Sequence, residues 1–243
     1  MQEAPTYRPD RQSSLRDQTL DPLPGVEWTG PVTKLVLLDC DSTLSAIEGI
    51  DELARLRGDE TFAAVEQMTR AAMEGGTPME TIFARRLELI QPTLGELEAI
   101  GQKYIAQVEP TASETVRALE SMGWRVAIVS GGFTQAILPL ARHLGITRVE
   151  AVELLFDADG RYRGFDPQSP TARTRGKNEV ARRLRAEWNA HRVVMVGDGA
   201  SDLEVKGDAD LVVGYGGYAV REKVRLEADA FILRLSELTT LLA

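Results

Sequence analysis

Short runs of almost wholly apolar residues recur along the chain, and polar or glycine-containing clusters follow several of them. Such runs are typical of parallel strands that are buried on both faces of a sheet. Segments with the 3.6-residue period of amphipathic helices lie between them, for example residues 134–144 and 178–188. The predicted strands are residues 34–38, 125–129, 192–196, 210–213 and 230–233. The alternation of strand and helix predicts a doubly wound α/β sheet that is mostly parallel.

One block of the chain, residues 47–108, interrupts this alternation. It has helix-forming composition and contains no convincing strand. Its helical pieces are predicted at residues 50–56, 61–73, 79–90 and 94–107. An insertion after the first strand would lie above the carboxyl ends of the sheet, where α/β folds bind ligands. We therefore predict a helical cap, or lid, over residues 47–108 and an α/β core built from residues 31–46 and 109–243.

Two further segments differ from the core pattern. Residues 156–162 predict a β-hairpin that turns at Asp159-Gly160. Residues 1–30 contain four prolines and show no helical or strand period. They lack the apolar stretch of a secretory signal and the acid-poor composition of a transit peptide. We interpret them as an N-terminal arm that is either flexible or strapped to the core.

The composition is that of an ordinary globular protein, with 43% hydrophobic and 27% charged residues among 243. The formal net charge of −9 argues against a nucleic-acid surface, because phosphate backbones select clustered cations. No apolar run is long enough to span a bilayer. The single cysteine excludes an intrachain disulfide and a zinc site built on thiolates. We expect a cytoplasmic protein without nucleic-acid or membrane partners, either a monomer or a homodimer.

The candidate chemistry begins directly after the first predicted strand, at Asp39-Cys-Asp41-Ser-Thr. Asp39 and Asp41 are two positions apart, so on an extended chain both carboxylates point to the same side and can share one ligand. Like charges this close destabilise each other unless a cation or a proton lies between them. Acidic pairs are also common in turns and helix caps, but the position after a buried strand favours a functional interpretation.

Three further polar clusters follow predicted strands or precede a helix. Ser130 and Gly131 follow the second predicted strand, where a hydroxyl and backbone N–H groups can hold phosphate oxygens. Lys177 comes just before a predicted helix, and Gly197-Asp198-Gly199-Ala200-Ser201-Asp202 follows the third predicted strand. All of these clusters are expected on the edge of the sheet where Asp39 lies. The sequence therefore predicts one site built from four motifs.

These motifs resemble those of the haloacid dehalogenase-like phosphatases, and more closely those of the phosphoserine phosphatase family. The resemblance runs from about Lys34 to Leu233 and covers nearly everything except the arm. The motif residues are Asp39-x-Asp41-x-Thr43, Ser130, Lys177 and Gly197-Asp198-Gly199-x-x-Asp202. Glu48 and Arg86 carry the resemblance to the phosphoserine branch. The resemblance implies a Rossmann-like core with an inserted helical cap, and activity as a phosphoric monoester hydrolase.

The resemblance also implies roles for the residues nearest the reacting phosphorus. Asp39 would attack phosphorus and form an aspartyl-phosphate. Asp41 would protonate the leaving oxygen and later deprotonate the hydrolytic water. Mg²⁺ would be held by the carboxylates of Asp39 and Asp198 and by the backbone carbonyl of Asp41. Asp202 and Thr43 are expected to contact these groups and keep them oriented.

A second group of residues is implied to bind the substrate, O-phosphoserine. The residues expected to hold the phosphoryl oxygens are Ser130, Gly131 (through its amide), Lys177 and Ser201. Arg173 and Arg175 are alternatives to Lys177 as the cation that reaches the phosphate. Beyond the phosphate, Glu48 is expected to take the ammonium group of the substrate. Arg86 is expected to grip its carboxylate with two parallel hydrogen bonds, with Arg85 as the alternative.

The chain departs from the family pattern at three positions. Cys40 stands where an aromatic residue is frequent, Ser201 where asparagine is frequent, and Met79 at a lid position often held by phenylalanine. The departure at Met79 bears on closure of the lid rather than on the chemistry. The alternative functions are a related phosphatase acting on phosphoethanolamine, a phosphorylated homoserine or a sugar phosphate, and a catalytically silent binding module. Retention of all four motifs disfavours the silent module.

Overall fold

A six-stranded parallel sheet forms the centre of the part of the chain that the computed structural model describes, residues 34–73 and 79–243. In chain order the strands are β1 (Lys34–Leu38), β2 (Arg125–Phe133), β3 (Arg148–Val152), β4 (Leu154–Phe156), β5 (Tyr162–Phe165), β6 (Arg192–Gly197), β7 (Leu211–Tyr215) and β8 (Ala230–Ile232). The sheet order is β3-β2-β1-β6-β7-β8, and every neighbouring pair is parallel. The arm predicted over residues 1–30 lies outside the described residues.

Helices connect the consecutive strands of the six-stranded sheet along the chain. They are α1 (Gly49–Arg55), α2 (Asp59–Met73), α3 (Met79–Ile90), α4 (Leu94–Ala106), α5 (Ala112–Ser121), α6 (Thr134–Leu144), α7 (Gly176–Glu187), α8 (Ala200–Leu203), α9 (Glu222–Glu227) and α10 (Glu237–Leu241). The first four come between β1 and β2, in the block predicted to be inserted; the boundaries of core and cap stay a prediction. Among the described residues, none of the helices has the length and apolar character that crossing a membrane requires. The cytoplasmic location also stays a prediction.

The central strand β1 has buried side chains on both faces of the sheet. Leu35 and Leu37 belong to one hydrophobic core, which also includes apolar residues of α7. Val36 and Leu38 belong to the other, which includes residues of α4, α5 and α6. Each fully buried leucine or valine stabilises the fold by about 1.5–3 kcal/mol relative to an exposed one. The prediction of a doubly wound α/β fold is confirmed, and this two-sided burial explains the apolar run in the sequence.

The predicted elements differ from the structure at β2, β3 and α7. β2 continues beyond residue 129 through Ser130 to Phe133, with an irregular register against β3. β3 itself is missing from the predicted strands, because Arg148–Val152 lies at the sheet edge and mixes polar with apolar residues. α7 begins at Gly176, so Lys177 lies in its first turn rather than before it. The first turn of a helix presents unpaired N–H groups, which favours anion binding there.

The predicted hairpin is confirmed, with β4 and β5 paired antiparallel and Gly160 at φ +75° in the turn. It contacts the helical insertion through backbone and ring contacts. The N–H of Leu94, at the start of α4, donates to the carbonyl oxygen of Gly160 at 2.9 Å. The rings of Phe83 on α3 and Phe165 on β5 meet edge to face, with centroids 5.1 Å apart. The hairpin therefore braces α3 and α4 beside the sheet.

Candidate active site

A cavity of about 320 Å³ opens at the carboxyl ends of β1, β2 and β6. This is the edge where the four motifs were expected to meet, because parallel strands end on the same side of the sheet. The predicted site residues that line the cavity are Asp39, Asp41, Glu48, Arg86, Ser130, Gly131, Lys177, Asp198 and Ser201. The other two, Thr43 and Asp202, are buried and contact residues of this lining. The structure thus brings the whole predicted set to one place.

Lys177 lies between two carboxylates at the floor of the cavity. Its Nζ is 2.9 Å from Oδ1 of Asp39 and 2.7 Å from Oδ1 of Asp202. Burial lowers the pKa of Lys177, but the charges of Asp202 and Asp39 outweigh this effect, so its pKa is raised and the ammonium stays charged. All three candidate cations line the cavity. Among the described contacts, Lys177 is the one that reaches Asp39, while Arg173 pairs with Glu179.

The backbone before Lys177 is shaped to bring α7 close to the cavity. Arg175 has φ +58°, which is uncommon for a residue with a side chain, and its N–H donates to Oε2 of Glu204 at 2.9 Å. A Cβ at Gly176 would overlap the backbone carbonyl of Pro170. Only glycine lets the chain pass this carbonyl, and the helix that carries Lys177 starts at that point.

Asp41 is held by two donors on one of its oxygens. The hydroxyl of Tyr104 and the N–H of Gly49 each donate to Oδ1 at 2.6 Å. The other oxygen, Oδ2, lies 3.5 Å from Oγ of Ser130. Burial raises the pKa of Asp41 to about 6, against the lowering effect of the hydrogen bonds from Tyr104 and Gly49. A carboxyl group with this pKa can exchange protons near neutral pH, as general acid–base catalysis requires.

Three buried carboxylates lie close enough together to hold a metal ion: Asp39, Asp198 and Asp202 each offer an oxygen within 4.8 Å of the others. Burial, followed by the charge of Asp39, raises the pKa of Asp198 to about 8, although an ion pair with Arg221 at 2.9 Å opposes this. Carboxylates packed this tightly call for a neutralising cation, and an all-oxygen donor set fits a hard divalent ion. Thr43 supports the cluster by donating from Oγ1 to Oδ1 of Asp198 at 3.4 Å.

Both carboxylate oxygens of Asp202 are engaged by the protein. Its Oδ1 accepts from Lys177 at 2.7 Å, and its Oδ2 accepts from the N–H of Gly199 at 3.0 Å. Burial raises the pKa of Asp202 to about 6, with the charge of Lys177 acting in the opposite direction. These contacts fit an organising position for Asp202, which stays a prediction.

A positively charged side chain lines the wall of the cavity that the helical insertion provides. Arg86 on α3 is 6% exposed, and its Nη1 donates to Oγ1 of Thr69 at 3.0 Å. Thr69 in turn donates to Oδ1 of Asp51 at 3.0 Å. Burial lowers the pKa of Arg86, which nearby carboxylates partly offset. The alternative residue, Arg85, has a side chain that is 65% exposed and lies 3.6 Å from Glu88.

Glu48 supplies a carboxyl group to the same cavity. Its Oε1 accepts from the hydroxyl of Ser42 at 2.6 Å and lies 3.9 Å from a guanidinium nitrogen of Arg221. Burial, followed by the charges of Asp41 and Asp198, raises the pKa of Glu48 well above its usual range. A cationic group of a ligand would restore the ionised form of this carboxyl group.

The structure adds three residues to the predicted set: Tyr104, Thr69 and Arg221. Tyr104 and Thr69 lie on helices, where a buried polar residue looks like any other core position. Arg221 follows β7, and the rule that ligands bind beyond the carboxyl ends of strands could have marked it. Cys40 is buried and its pKa is raised by burial, as expected for a packed, unreactive thiol. The side chain of Met79 is outside the described residues.

Comparison with known proteins places this geometry in a family. A family model for haloacid dehalogenase-like hydrolases matches residues 33–205. Phosphoserine phosphatase of Mus musculus is 38% identical over 205 residues, which are 84% of this chain and 90% of the relative. Phosphoserine phosphatase of Methanocaldococcus jannaschii is 34% identical over 186 residues, 75% of this chain and 85% of the relative.

The solved structures agree with these sequence relatives. A structure of a phospho-aspartyl intermediate analogue of phosphoserine phosphatase superposes with a TM-score of 0.74 and is 30% identical. The superposition covers 86% of this chain and 98% of that one. The chain therefore belongs to the haloacid dehalogenase-like hydrolases and, within them, to the phosphoserine phosphatase family.

Proposed function

We propose that the protein hydrolyses O-phosphoserine to serine and phosphate through an aspartyl-phosphate, the last step of serine biosynthesis. One observation carries this proposal: Arg86 and Glu48 line the same cavity as Asp39 and Asp41. Beyond the floor that would bind the phosphate, Arg86 matches the carboxylate of phosphoserine and Glu48 matches its ammonium group. The names of the relatives, phosphoserine phosphatase in both Mus musculus and Methanocaldococcus jannaschii, support the same substrate.

The reaction starts with attack by Asp39 on phosphorus, which splits one difficult displacement into two easier steps. Its carboxylate is fixed by the N–H of Cys40 at 2.8 Å and by Lys177 at 2.9 Å. Lys177, Ser130 and the Gly131 amide hold the phosphoryl oxygens and stabilise the charge that develops on them. Ser201 lines the cavity at the start of α8 and adds a hydroxyl donor to this set.

Asp41 moves the protons of both steps. It gives a proton to the serine oxygen as the bond from phosphorus to that oxygen breaks. It then takes a proton from the water that attacks the aspartyl-phosphate. The pKa of about 6 lets a fraction of Asp41 carry the proton near neutral pH, and the ionised form can then act as the base.

The family uses a metal ion, and we propose that Mg²⁺ is the ion of this protein. Asp39 and Asp198 would hold it together with the backbone carbonyl of Asp41, and Asp202 and Thr43 would keep these ligands oriented. When bound, Mg²⁺ offsets the repulsion between the carboxylates and the phosphate dianion. The buried oxygen donors fit such a hard cation better than a softer metal.

The remaining part of the substrate is selected at the wall that the helical insertion contributes. Arg86 would hold the substrate carboxylate, while Thr69 keeps the guanidinium in place. Glu48 would hold the ammonium group, which restores the ionised form of its carboxylate. A phosphomonoester that lacks the carboxylate, such as phosphoethanolamine, would leave Arg86 without its ligand and bind less well.

The test is release of phosphate by the purified protein with Mg²⁺ from a panel of phosphomonoesters. The panel contains phosphoserine, phosphoethanolamine, phosphohomoserine, a sugar phosphate and p-nitrophenyl phosphate. We expect the highest kcat/KM for phosphoserine, and no turnover by the Asp39→Asn variant because an amide is a poor nucleophile. A higher kcat/KM for another small phosphate would replace the proposed substrate. No release from any of them would favour a silent binding module.

A further inference from the structure

Tyr104 contacts the reaction machinery from outside the cavity. It lies on α4, is fully buried, and is not part of the cavity lining. Its hydroxyl donates to Oδ1 of Asp41 at 2.6 Å, a short distance typical of a hydrogen bond to a carboxylate. A fully buried phenolic hydroxyl has lost its hydrogen bonds to water. The hydrogen bond to Asp41 takes their place. The contact therefore ties α4 to the carboxyl group proposed to move protons.

Gly49 makes this approach of Tyr104 possible. Its N–H, at the start of α1, donates to the same Oδ1 of Asp41 at 2.6 Å. A Cβ at position 49 would overlap the hydroxyl of Tyr104. The absence of a side chain at Gly49 thus lets a backbone donor and the phenol reach one oxygen together. Two donors from different helices fix the rotation of the carboxyl group more firmly than either could alone.

The second oxygen of Asp41 lies on the cavity side. Oδ2 is 3.5 Å from Oγ of Ser130, and a Cβ at Gly132 would come within 2.7 Å of it. Both Ser130 and Gly132 line the cavity. Because Oδ1 accepts two hydrogen bonds, a proton carried by this carboxyl group belongs on Oδ2, where the substrate would be bound.

We propose that Tyr104 is a positioning residue that, with the N–H of Gly49, makes Oδ2 of Asp41 the atom that exchanges protons with substrate and water. This inference rests on the proposed function. In the first step Asp39 bonds to phosphorus, the bond from phosphorus to the serine oxygen breaks, and Oδ2 gives that oxygen its proton. In the second step water bonds to phosphorus, its proton passes to Oδ2, and the bond to Asp39 breaks.

The test is the Tyr104→Phe variant, which keeps the ring and removes the hydroxyl. We expect kcat for phosphoserine to fall about 10- to 100-fold, the scale of a misplaced catalytic group. KM should change by no more than about twofold, because Arg86 and Lys177 keep their positions. Tyr215→Phe is the matched control, since Tyr215 is also buried but lies on β7 and makes no described contact with Asp41. It should keep wild-type kinetics.

A second readout separates positioning from general damage to the fold. p-Nitrophenolate leaves without needing a proton, so the burst of p-nitrophenolate that accompanies phosphorylation of Asp39 should keep its rate in Tyr104→Phe. The steady state after the burst should slow about 10-fold or more, because the water must still lose its proton to Asp41. Equal slowing of burst and steady state would mean that the hydroxyl serves only the structure, and would overturn the inference.

Gly49→Ala provides an independent variant, because its methyl group would displace the Tyr104 hydroxyl without removing it. We expect the same pattern, with a lowered steady state and a retained burst. Wild-type kcat in both Tyr104→Phe and Gly49→Ala would contradict the positioning role, even if the wild type hydrolyses phosphoserine. Failure of the wild type on phosphoserine would instead contradict the proposed function. In that case Tyr104→Phe and Gly49→Ala would be compared with the wild type on the alkyl phosphate that has the highest kcat/KM in the panel.

Discussion

The Nζ atom of Lys177 lies 2.9 Å from Oδ1 of Asp39, and both residues are buried at the floor of the cavity. An ion pair at this distance holds the carboxylate in place and points a positive charge at the place where a phosphoryl group would sit. Oδ1 of Asp202, 2.7 Å away on the other side, fixes the ammonium group. One lysine therefore orders the proposed nucleophile and provides a positive charge that suits an anion.

Replacement of Lys177 by methionine should lower kcat for phosphoserine on the order of 10²- to 10³-fold, because a preorganised charge near the phosphoryl oxygens is lost. The matched control is Lys206→Met, which removes an exposed lysine that pairs with Asp229 on the surface. Exposed pairs contribute little, so this control should stay within about twofold of the wild type. Steady-state release of phosphate measures both; similar kcat values for the two variants would contradict the role of Lys177.

Arg86→Ala should lower kcat/KM for phosphoserine on the order of 10- to 100-fold, since charge-assisted hydrogen bonds to the substrate carboxylate are lost. Phosphoethanolamine has no carboxylate, and its kcat/KM should hardly change. Arg85→Ala is the matched control, because Arg85 is the neighbouring arginine but is exposed. An equal loss on both substrates, or a loss in Arg85→Ala instead, would show that Arg86 does not bind the carboxylate.

Thr69→Val should raise KM for phosphoserine by about 3- to 10-fold, because Arg86 loses a hydrogen bond that holds its guanidinium. Valine has nearly the same shape as threonine, so the packing of α2 is retained. KM for phosphoethanolamine should stay the same. Thr115→Val, in a buried position on α5, is the control. A change in kcat with an unchanged KM would assign Thr69 to the chemistry rather than to binding.

Mg²⁺ should raise the melting temperature of the wild type, since an ion that binds only the folded protein stabilises it by mass action. At 100 times the dissociation constant the gain is about 2.7 kcal/mol. Asp198→Asn removes one of the proposed ligands and should lose most of this gain. Calorimetry with and without Mg²⁺, each in the absence of substrate, measures it. If Mg²⁺ raises the melting temperature of Asp198→Asn as much as that of the wild type, the Asp198 carboxylate is not a ligand of the ion.

The metal-free protein, kept in chelator, should become less stable as the pH rises from 5 to 8. The pKa of Asp198 is raised from 3.8 to about 8 on folding, so in this interval the folded state binds the proton and the unfolded state does not. Stability falls with rising pH wherever the folded state holds more protons. The fall in melting temperature should be smaller in Asp198→Asn than in Asp159→Asn, an exposed control at the hairpin turn. Identical pH profiles would contradict the raised pKa of Asp198.

The fold and the four motifs could be predicted because each depends on local sequence. The apolar run at residues 34–38 indicates a strand buried on both faces, and the acidic pair that follows it indicates where ligands bind. The sequence does not predict β3, because Arg148 and Glu150 make this edge strand resemble a loop. The predicted end of β2 is too early, because the glycines after Val129 suggest a turn, whereas the strand continues with an irregular register.

Tyr104 could not be selected from the sequence for a different reason. Its contact with Asp41 joins residues 63 positions apart, and nothing in the amphipathic pattern of α4 distinguishes its hydroxyl from an ordinary packed ring. Thr69 shows the same difficulty, since its link to Arg86 exists only once α2 and α3 are packed. Spacing along the chain predicts residues at strand ends, but contacts between helices need the folded structure.

The position of β1 in the sheet has a consequence for synthesis of the chain. Leu35 pairs with Arg125 on one side and with Val193 on the other, so both neighbours of β1 are made long after it. Closing such long loops carries a large entropic cost, and parallel pairings of this kind form slowly. A ribosome-bound chain that ends before β6 would therefore expose one edge of an apolar strand. We expect nascent chains of this length to be bound by chaperones, and to be released once residues 192–197 have emerged.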